Sequence, residues 1–199
     1  MESLLAAAKS YETLMSTRYR ILLGKKRSLL PIELSFHVDN FYHLVGLHKL
    51  KYLLSTRNSE RILKMILSGE LTDEMAMAHE KYPEIKDRIA LVTNLSEILE
   101  GNVRYFEIVH EMYSLIKADL IILGKFNEKD TLYFAIKMIN NVYAPVSLFN
   151  PEMGHYTENQ KEYRALYFDK LNLDTRNLTI IKPCTSTTID INEYFEFNY

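Results

Sequence analysis

Apolar residues in the first hundred positions recur mostly three or four residues apart, the spacing that places side chains on one face of a helix. This pattern predicts an amphipathic helix over residues 2–16 and further helices that end at Gly69 and Gly101. Glycine is favoured just beyond a helix because it adopts the left-handed backbone conformation at little cost. The N-terminal half is therefore predicted to be mainly helical.

Residues 36–55 hold the densest group of candidate functional side chains, with three of the six histidines. Asp39 or Asn40 is predicted to cap a helix there, because either side chain can accept a hydrogen bond from the first turn. His43 and Lys49 lie off the apolar face and are free to meet a ligand. The apolar face itself has the spacing i, i+3, i+4, i+7 and consists of Phe41, Leu44, Val45 and His48.

Strand patterns dominate the second half of the chain. Residues 131–139 alternate between apolar and polar positions, and residues 142–149 return after Asn140 and Asn141, which tolerate the positive φ angles of a tight hairpin. Two earlier strands, 18–23 and 29–36, flank a basic turn. The predicted fold class is α+β. N-terminal helices, together with this short basic hairpin, are followed by a small antiparallel sheet.

Length and composition predict one domain over residues 1–199. We divide it into an N-terminal helix and hairpin extension (1–31), a core (32–183) and an acidic tail (184–199), of which residues 189–199 are predicted to be loosely ordered. Cys184 is the single cysteine, which fits a reducing compartment, and no apolar run reaches the roughly 18 residues that span a bilayer. These features predict a cytoplasmic protein with no membrane association.

The charge is unevenly distributed along the chain. Residues 1–64 carry 11 Lys and Arg against 5 Asp and Glu, a balance of +6, whereas the remainder carries −8. A basic region on a mildly acidic chain indicates a surface that meets a polyanion such as RNA. A solvated set of helices has the same appearance, so the balance alone does not decide between the two.

Several familiar chemical motifs are absent from the sequence, including a glycine-rich phosphate loop, His-Glu-x-x-His and a cysteine-rich zinc site. His43 and His48 are five residues apart, which places them about 140° apart around a continuous helix. Only a break at Gly46 would bring them together. No cofactor and no metal site are predicted.

The remaining polar residues suit phosphodiester cleavage, which needs an acid and a base near neutral pKa and cations for the phosphate oxygens. His43 is the first candidate for the acid or base, with Lys49 as charge stabiliser. His48 lies on the apolar face, so the alternative interpretation is that it packs in the core. The remaining candidates are Ser147 and Lys161 for catalysis, and His48, Tyr143, Lys51 and Arg57 for substrate binding.

The register of the predicted hairpin decides on which face of the sheet two of these candidates, Tyr143 and Ser147, lie. The simplest register after Asn140 and Asn141 places Tyr143 and Ser147 together on the core face. A one-residue slip or a bulge at Pro145 would reverse the face, because side chains alternate along a strand.

Residues 41–47 (FYHLVGL) resemble the Phe-x-His-Leu-x-Gly opening of a phage-associated family that is grouped with the barnase, EndoU, colicin and RelE-like nucleases. Residues 66–71 (ILSGEL), 118–123, 133–134 and 143–149 (YAPVSLF) are similar to the family's later helix and sheet. The resemblance covers about residues 32–170.

This resemblance implies helices before a small antiparallel sheet and metal-independent RNA cleavage, in which the 2′-hydroxyl attacks the neighbouring phosphate. By position, His43, Gly46 and Ser147 carry over, with Gly46 serving the backbone turn. Val45 departs from the small polar residue common in the pattern, and no second catalytic histidine is evident after residue 155.

Two functions follow. The first is an endoribonuclease of phage or bacterial origin, acting as a toxin or defence effector, with RNA as substrate and an antitoxin or immunity protein as partner. The alternative is a catalytically silent module of the same fold that binds protein or nucleic acid.

Overall fold

A computed structural model of the protein describes residues 3–51, 53, 56–109, 117–125, 131–149 and 156–195. Within these residues six helices and eight strands follow the chain. The helices are α1 (Leu4–Met15), α2 (Val38–Leu44), α3 (Ser59–Leu67), α4 (Asp73–Met77), α5 (Pro83–Thr93) and α6 (Leu95–Glu100). The strands are β1 (Thr17–Lys25), β2 (Ser28–Ser35), β3 (Arg104–Glu107), β4 (Leu120–Lys125), β5 (Thr131–Ile139), β6 (Val142–Phe149), β7 (Lys161–Asn172) and β8 (Leu178–Lys182).

Seven of the strands close into a barrel. The order is β1-β2-β6-β5-β4-β3-β7, and β7 pairs with β1 to complete the ring, while β8 lies outside on β7. Every pairing is antiparallel except that of β2 with β6, which are joined at a single position, Leu34 opposite Tyr143. The predicted arrangement, helices followed by a small antiparallel sheet, is therefore wrong.

The error has a physical cause. The pairing that closes the barrel joins residues about 150 positions apart, such as Arg20 opposite Asp169. Strand pairing depends on the surfaces that two distant segments present to each other, so a local pattern reveals a strand but not its neighbour. The sequence pattern predicts the two strands of the first hairpin, but it does not predict that β1 pairs with β7.

The β5–β6 hairpin follows its prediction closely. Asn140 and Asn141 have φ values of 52° and 65°, and Ile139 pairs with Val142 across this two-residue turn. The register then shifts, so that Ile136 lies opposite Pro145 but Ala135 lies opposite Ser147. This is the bulge that the sequence left as an alternative, and it separates the two predicted site residues of β6 onto opposite faces.

Those faces belong to different apolar clusters. Tyr143 packs in the main core, which joins one face of the strands to the helices, whereas Ser147 lies opposite Ala135, part of a smaller cluster with Tyr133 and Phe149. No helix among the residues that the structure describes is long and apolar enough to cross a membrane.

The C-terminal segment is more ordered than the sequence indicates. Phe195 is 2% exposed and packs with Leu22 and Tyr167 in a third cluster. The ring also lies 5.7 Å from the Arg20 guanidinium carbon. The prediction of a loose tail is therefore wrong as far as residue 195, because the aromatic side chain covers apolar surface outside β1 and β7.

Candidate active site

The α2 helix stops where its sequence contains a glycine. It ends at Leu44, and Gly46 takes a φ of +86°, in the left-handed region that favours glycine. A short 3₁₀ turn, Leu47–Lys49, follows at once. The predicted single helix through His48 is wrong, and its cap is His37 rather than Asp39 or Asn40.

This break brings two histidines together. The ring centroids of His43 and His48 lie 5.1 Å apart, at a tilt of 41° between the rings. A continuous helix would have held them about 140° apart around its axis. The left-handed glycine interrupts the helix, so the sequence separation no longer sets the angle between the side chains.

Both histidines line a pocket of about 770 Å³. His43, Lys51 and Arg57 are exposed there, and His48 is half-buried. Four of the eight predicted site residues therefore meet in one pocket, which carries two imidazoles and two cations. The lining residues are Tyr42, His43, His48, Leu50, Lys51, Thr56 and Arg57.

The environment of His48 favours its neutral form. Burial is the main cause that lowers the pKa of His48, and the positive charges of His43, Arg88 and Lys49 lower it further, while a hydrogen bond to the Tyr42 backbone opposes them. Its Nδ1 atom is buried and has no hydrogen-bond partner within the described residues. The lowered pKa keeps this ring neutral at neutral pH.

Arg88 supports the pocket from outside it. Its Nη1 donates a hydrogen bond of 3.3 Å to the backbone carbonyl of His43, and burial lowers the pKa of its guanidinium group. Arginine retains its charge under such a shift. No local pattern points to this residue, because it lies 45 positions from His43 on another helix.

His79 holds the segment that carries Lys51. The Lys81 backbone N–H donates to its Nδ1 at 3.0 Å, so Nδ1 is an acceptor, and Nε2–H donates to the Lys51 carbonyl at 2.7 Å. Lys49, in contrast, forms an ion pair of 3.3 Å with Glu84, which also contacts Lys81. The predicted role of Lys49 as charge stabiliser stays a prediction.

The remaining candidates lie outside this pocket. Tyr143 is 5% exposed, and its pKa is raised by burial and then by the charges of Asp119 and Glu107. Lys161 lies 3.3 Å from Glu107, to which the Tyr163 hydroxyl also donates at 2.9 Å. The roles predicted for Tyr143, Ser147 and Lys161 stay predictions.

Replacing Gly46 by alanine is expected to lower the free energy of unfolding by more than roughly 1–2 kcal/mol, which is the cost of placing alanine in the left-handed conformation. The added Cβ would lie 2.9 Å from Arg88 Cδ and 3.0 Å from Ile85 Cγ2, closer than such atoms pack. Urea unfolding measures the loss. Gly69→Ala is the matched control, since Gly69 has a φ of +76° with nothing within 4 Å. Equal losses of unfolding free energy in the two variants would contradict a destabilising contact of the added Cβ with Arg88 and Ile85.

Comparison with known proteins gives one family and no individual relative. No curated protein and no solved structure matches the chain. A family model described as phage-Barnase-EndoU-ColicinE5/D-RelE like nuclease4 matches residues 3–182. Among the described residues, no three His, Cys, Asp or Glu side chains are grouped so that they could hold a metal ion. The match spans most of the chain, including the pocket with its two histidines, and the chain belongs to this nuclease-like family.

Proposed function

We propose that this protein is an endoribonuclease that cleaves RNA by acid–base chemistry without a metal ion. The observation that carries the proposal is the pairing of His43 and His48, 5.1 Å apart, in a pocket that also holds Lys51 and Arg57. A phosphodiester that enters such a pocket meets a proton acceptor, a proton donor and two cations. Membership of the nuclease-like family supports the same reading.

The two histidines have different roles in this proposal. His48 is the base, because burial and neighbouring charges favour its neutral form. It takes the proton of the 2′-hydroxyl while that oxygen attacks the adjacent phosphorus. His43, which is exposed, donates a proton to the 5′-oxygen as the bond between phosphorus and that oxygen breaks. The products are a 2′,3′-cyclic phosphate and a 5′-hydroxyl.

Lys51 and Arg57 stabilise the negative charge that develops on the non-bridging oxygens. Both side chains are exposed at the pocket, and the hydrogen bond from His79 fixes the backbone of Lys51. Arginine presents a planar set of donors that matches phosphate oxygens, whereas lysine acts as a point charge. Neither residue forms an ion pair within the described part of the chain, so each charge is available to a substrate.

The phage association of the family supports a biological role as a toxin or defence effector that acts on RNA in the cytoplasm. An antitoxin or immunity protein would then inhibit it by covering this basic pocket with acidic side chains. The alternative function, a silent binding module, predicts binding of nucleic acid or protein without cleavage.

The test is incubation of the purified protein with single-stranded and structured RNA in EDTA, beside the same strands with 2′-deoxy sugars. Cleavage of RNA alone, with cyclic phosphate ends, supports the proposal, because only RNA carries the attacking group. Cleavage of both strands, or cleavage only when a divalent ion is restored, overturns the mechanism. Binding without cleavage moves the assignment to the silent module.

The rate should depend on pH in a direction that the environment of His48 sets. As the pH falls, the base becomes protonated and kcat/KM declines. Because the pKa of His48 is lowered, this decline is centred below about pH 6.5, the ordinary pKa of histidine. An acid limb centred at or above about 6.5 would contradict the assignment.

A further inference from the structure

A second pocket lies at the other end of α2. It has a volume of about 440 Å³ and is formed by the first residues of β1, the end of β2, the start of α2 and the β5–β6 hairpin. Its size falls within the range of about 300–1,000 Å³ that is usual for small-ligand sites. The lining residues are Arg18, Ser35, His37, Asp39, Asn40, Ile139, Asn140, Val142 and Ala144.

Two of the lining residues each have a buried polar atom without a hydrogen-bond partner within the described residues. The atoms are Arg18 Nε and Ser35 Oγ, whose residues lie directly opposite each other on β1 and β2. Ser35 is only 7% exposed, and Arg18 uses Nη1 for a 3.3 Å contact with Glu33. A buried donor without a partner costs free energy, which a ligand that accepts a hydrogen bond would recover.

An acceptor faces the same pocket. Asp39 is exposed, and its carboxylate forms no hydrogen bond or ion pair in the described part of the chain. Asn40 is held in place, since its Nδ2 donates to the Pro145 carbonyl at 3.1 Å and its Oδ1 accepts from the His37 N–H at 3.3 Å. Ile139 and Val142 add apolar surface. Donors, a carboxylate and apolar walls suit a flat heterocycle, whereas the carboxylate would repel a phosphate.

The second pocket is connected to the active site through α2. Asp39 and His43 are four residues apart, so they lie on one face of this helix, about 6 Å apart along its axis. A strand whose phosphate lies between the two histidines therefore brings a neighbouring base towards Asp39. This separation is on the scale of one nucleotide step.

We propose that this pocket is a base-recognition subsite that selects a nucleobase with an exocyclic amino group, an inference that rests on the proposed ribonuclease function. The Asp39 carboxylate accepts from the amino group, while Arg18 Nε and Ser35 Oγ donate to a ring nitrogen or carbonyl. Uracil has a carbonyl in place of the amino group, and that carbonyl faces a carboxylate. The site therefore disfavours uracil.

The sharpest comparison is between cytosine and uracil, which have the same size and differ in this one group. We would use DNA oligonucleotides that contain a single ribonucleotide, and vary the base at the ribonucleotide and at the next position. In EDTA, the wild-type protein is expected to cleave the cytosine substrates with a kcat/KM at least about fivefold higher than the uracil substrates at one of these positions.

Asp39→Asn tests the carboxylate with little change in shape. Its amide can donate to the uracil carbonyl, so the preference should shrink to about twofold or less or invert, and Ser35→Ala should reduce it as well. Asp174→Asn, at an exposed turn between β7 and β8, is the matched control and should retain the preference. An unchanged preference in Asp39→Asn, or no preference in the wild type, would overturn the subsite.

A failure of the proposed ribonuclease function leaves the subsite testable. If no substrate is cleaved, cytidine and uridine 3′-monophosphates are titrated into isotopically labelled protein, and the backbone amide signals of Asp39, Asn40 and Asn140 are followed. Tighter binding of the cytidine nucleotide that Asp39→Asn abolishes supports base recognition. Absence of any shift at these three amides overturns it.

Discussion

Replacing His43 by alanine is expected to lower kcat for RNA cleavage in EDTA by about 10²- to 10⁴-fold, the usual contribution of a positioned acid or base. The alanine cannot donate a proton to the leaving 5′-oxygen. Because His43 is exposed at the surface of α2, the fold should persist, and thermal unfolding should change by less than about 0.5 kcal/mol. Single-turnover cleavage of a labelled RNA measures the loss in the chemical step.

The double variant His43→Ala with His48→Ala makes the test more specific. If the two rings act as one acid–base pair, the double variant should lose about as much activity as the worse single variant, since residues that work as a unit are not additive. Lys64→Ala, at an exposed ion pair on α3, should cleave normally. Cleavage that His43→Ala leaves unchanged would keep the activity and discard this site.

Replacing Asp169 by alanine is expected to destabilise the protein by about 3–5 kcal/mol. The Asp169 carboxylate is fully buried and accepts two hydrogen bonds from Arg20, of 2.9 Å from Nε and 2.8 Å from Nη2. The Tyr167 hydroxyl also donates to it. Its removal leaves the Arg20 guanidinium, itself 3% exposed, buried without this carboxylate at the β1–β7 pairing that closes the barrel.

Urea denaturation measures this loss, and the chain supplies a control of the same geometry. Arg104 and Glu162 form a similar two-point pair between β3 and β7, with both distances at 2.8 Å, but on the exposed surface. Glu162→Ala should cost no more than about 1 kcal/mol, because water screens and solvates exposed charges. Similar losses in the two variants would show that burial does not determine the effect.

Much of the secondary structure and half of the candidate site could be predicted from local patterns. The helix over the first fifteen residues, the first hairpin, and the tight turn at Asn140 and Asn141 follow from periodicity and turn chemistry. His43, His48, Lys51 and Arg57 come from one stretch of about fifteen residues and line one pocket, but the approach of the two histidines depends on the helix break at Gly46, which spacing alone did not predict. Ser147, Lys161 and Tyr143 come from distant strands and do not line that pocket.

The sequence by itself determined several of the helices and strands, the basic character of the first third and the membership of a nuclease-like family, because these depend on residue type and spacing. Only the tertiary structure decided the closed barrel, the approach of Arg88 to His43 and the second pocket between Arg18, Ser35 and Asp39. Each of these depends on contacts between segments far apart in the chain. Such contacts form where distant surfaces fit each other, and local periodicity carries no record of that fit.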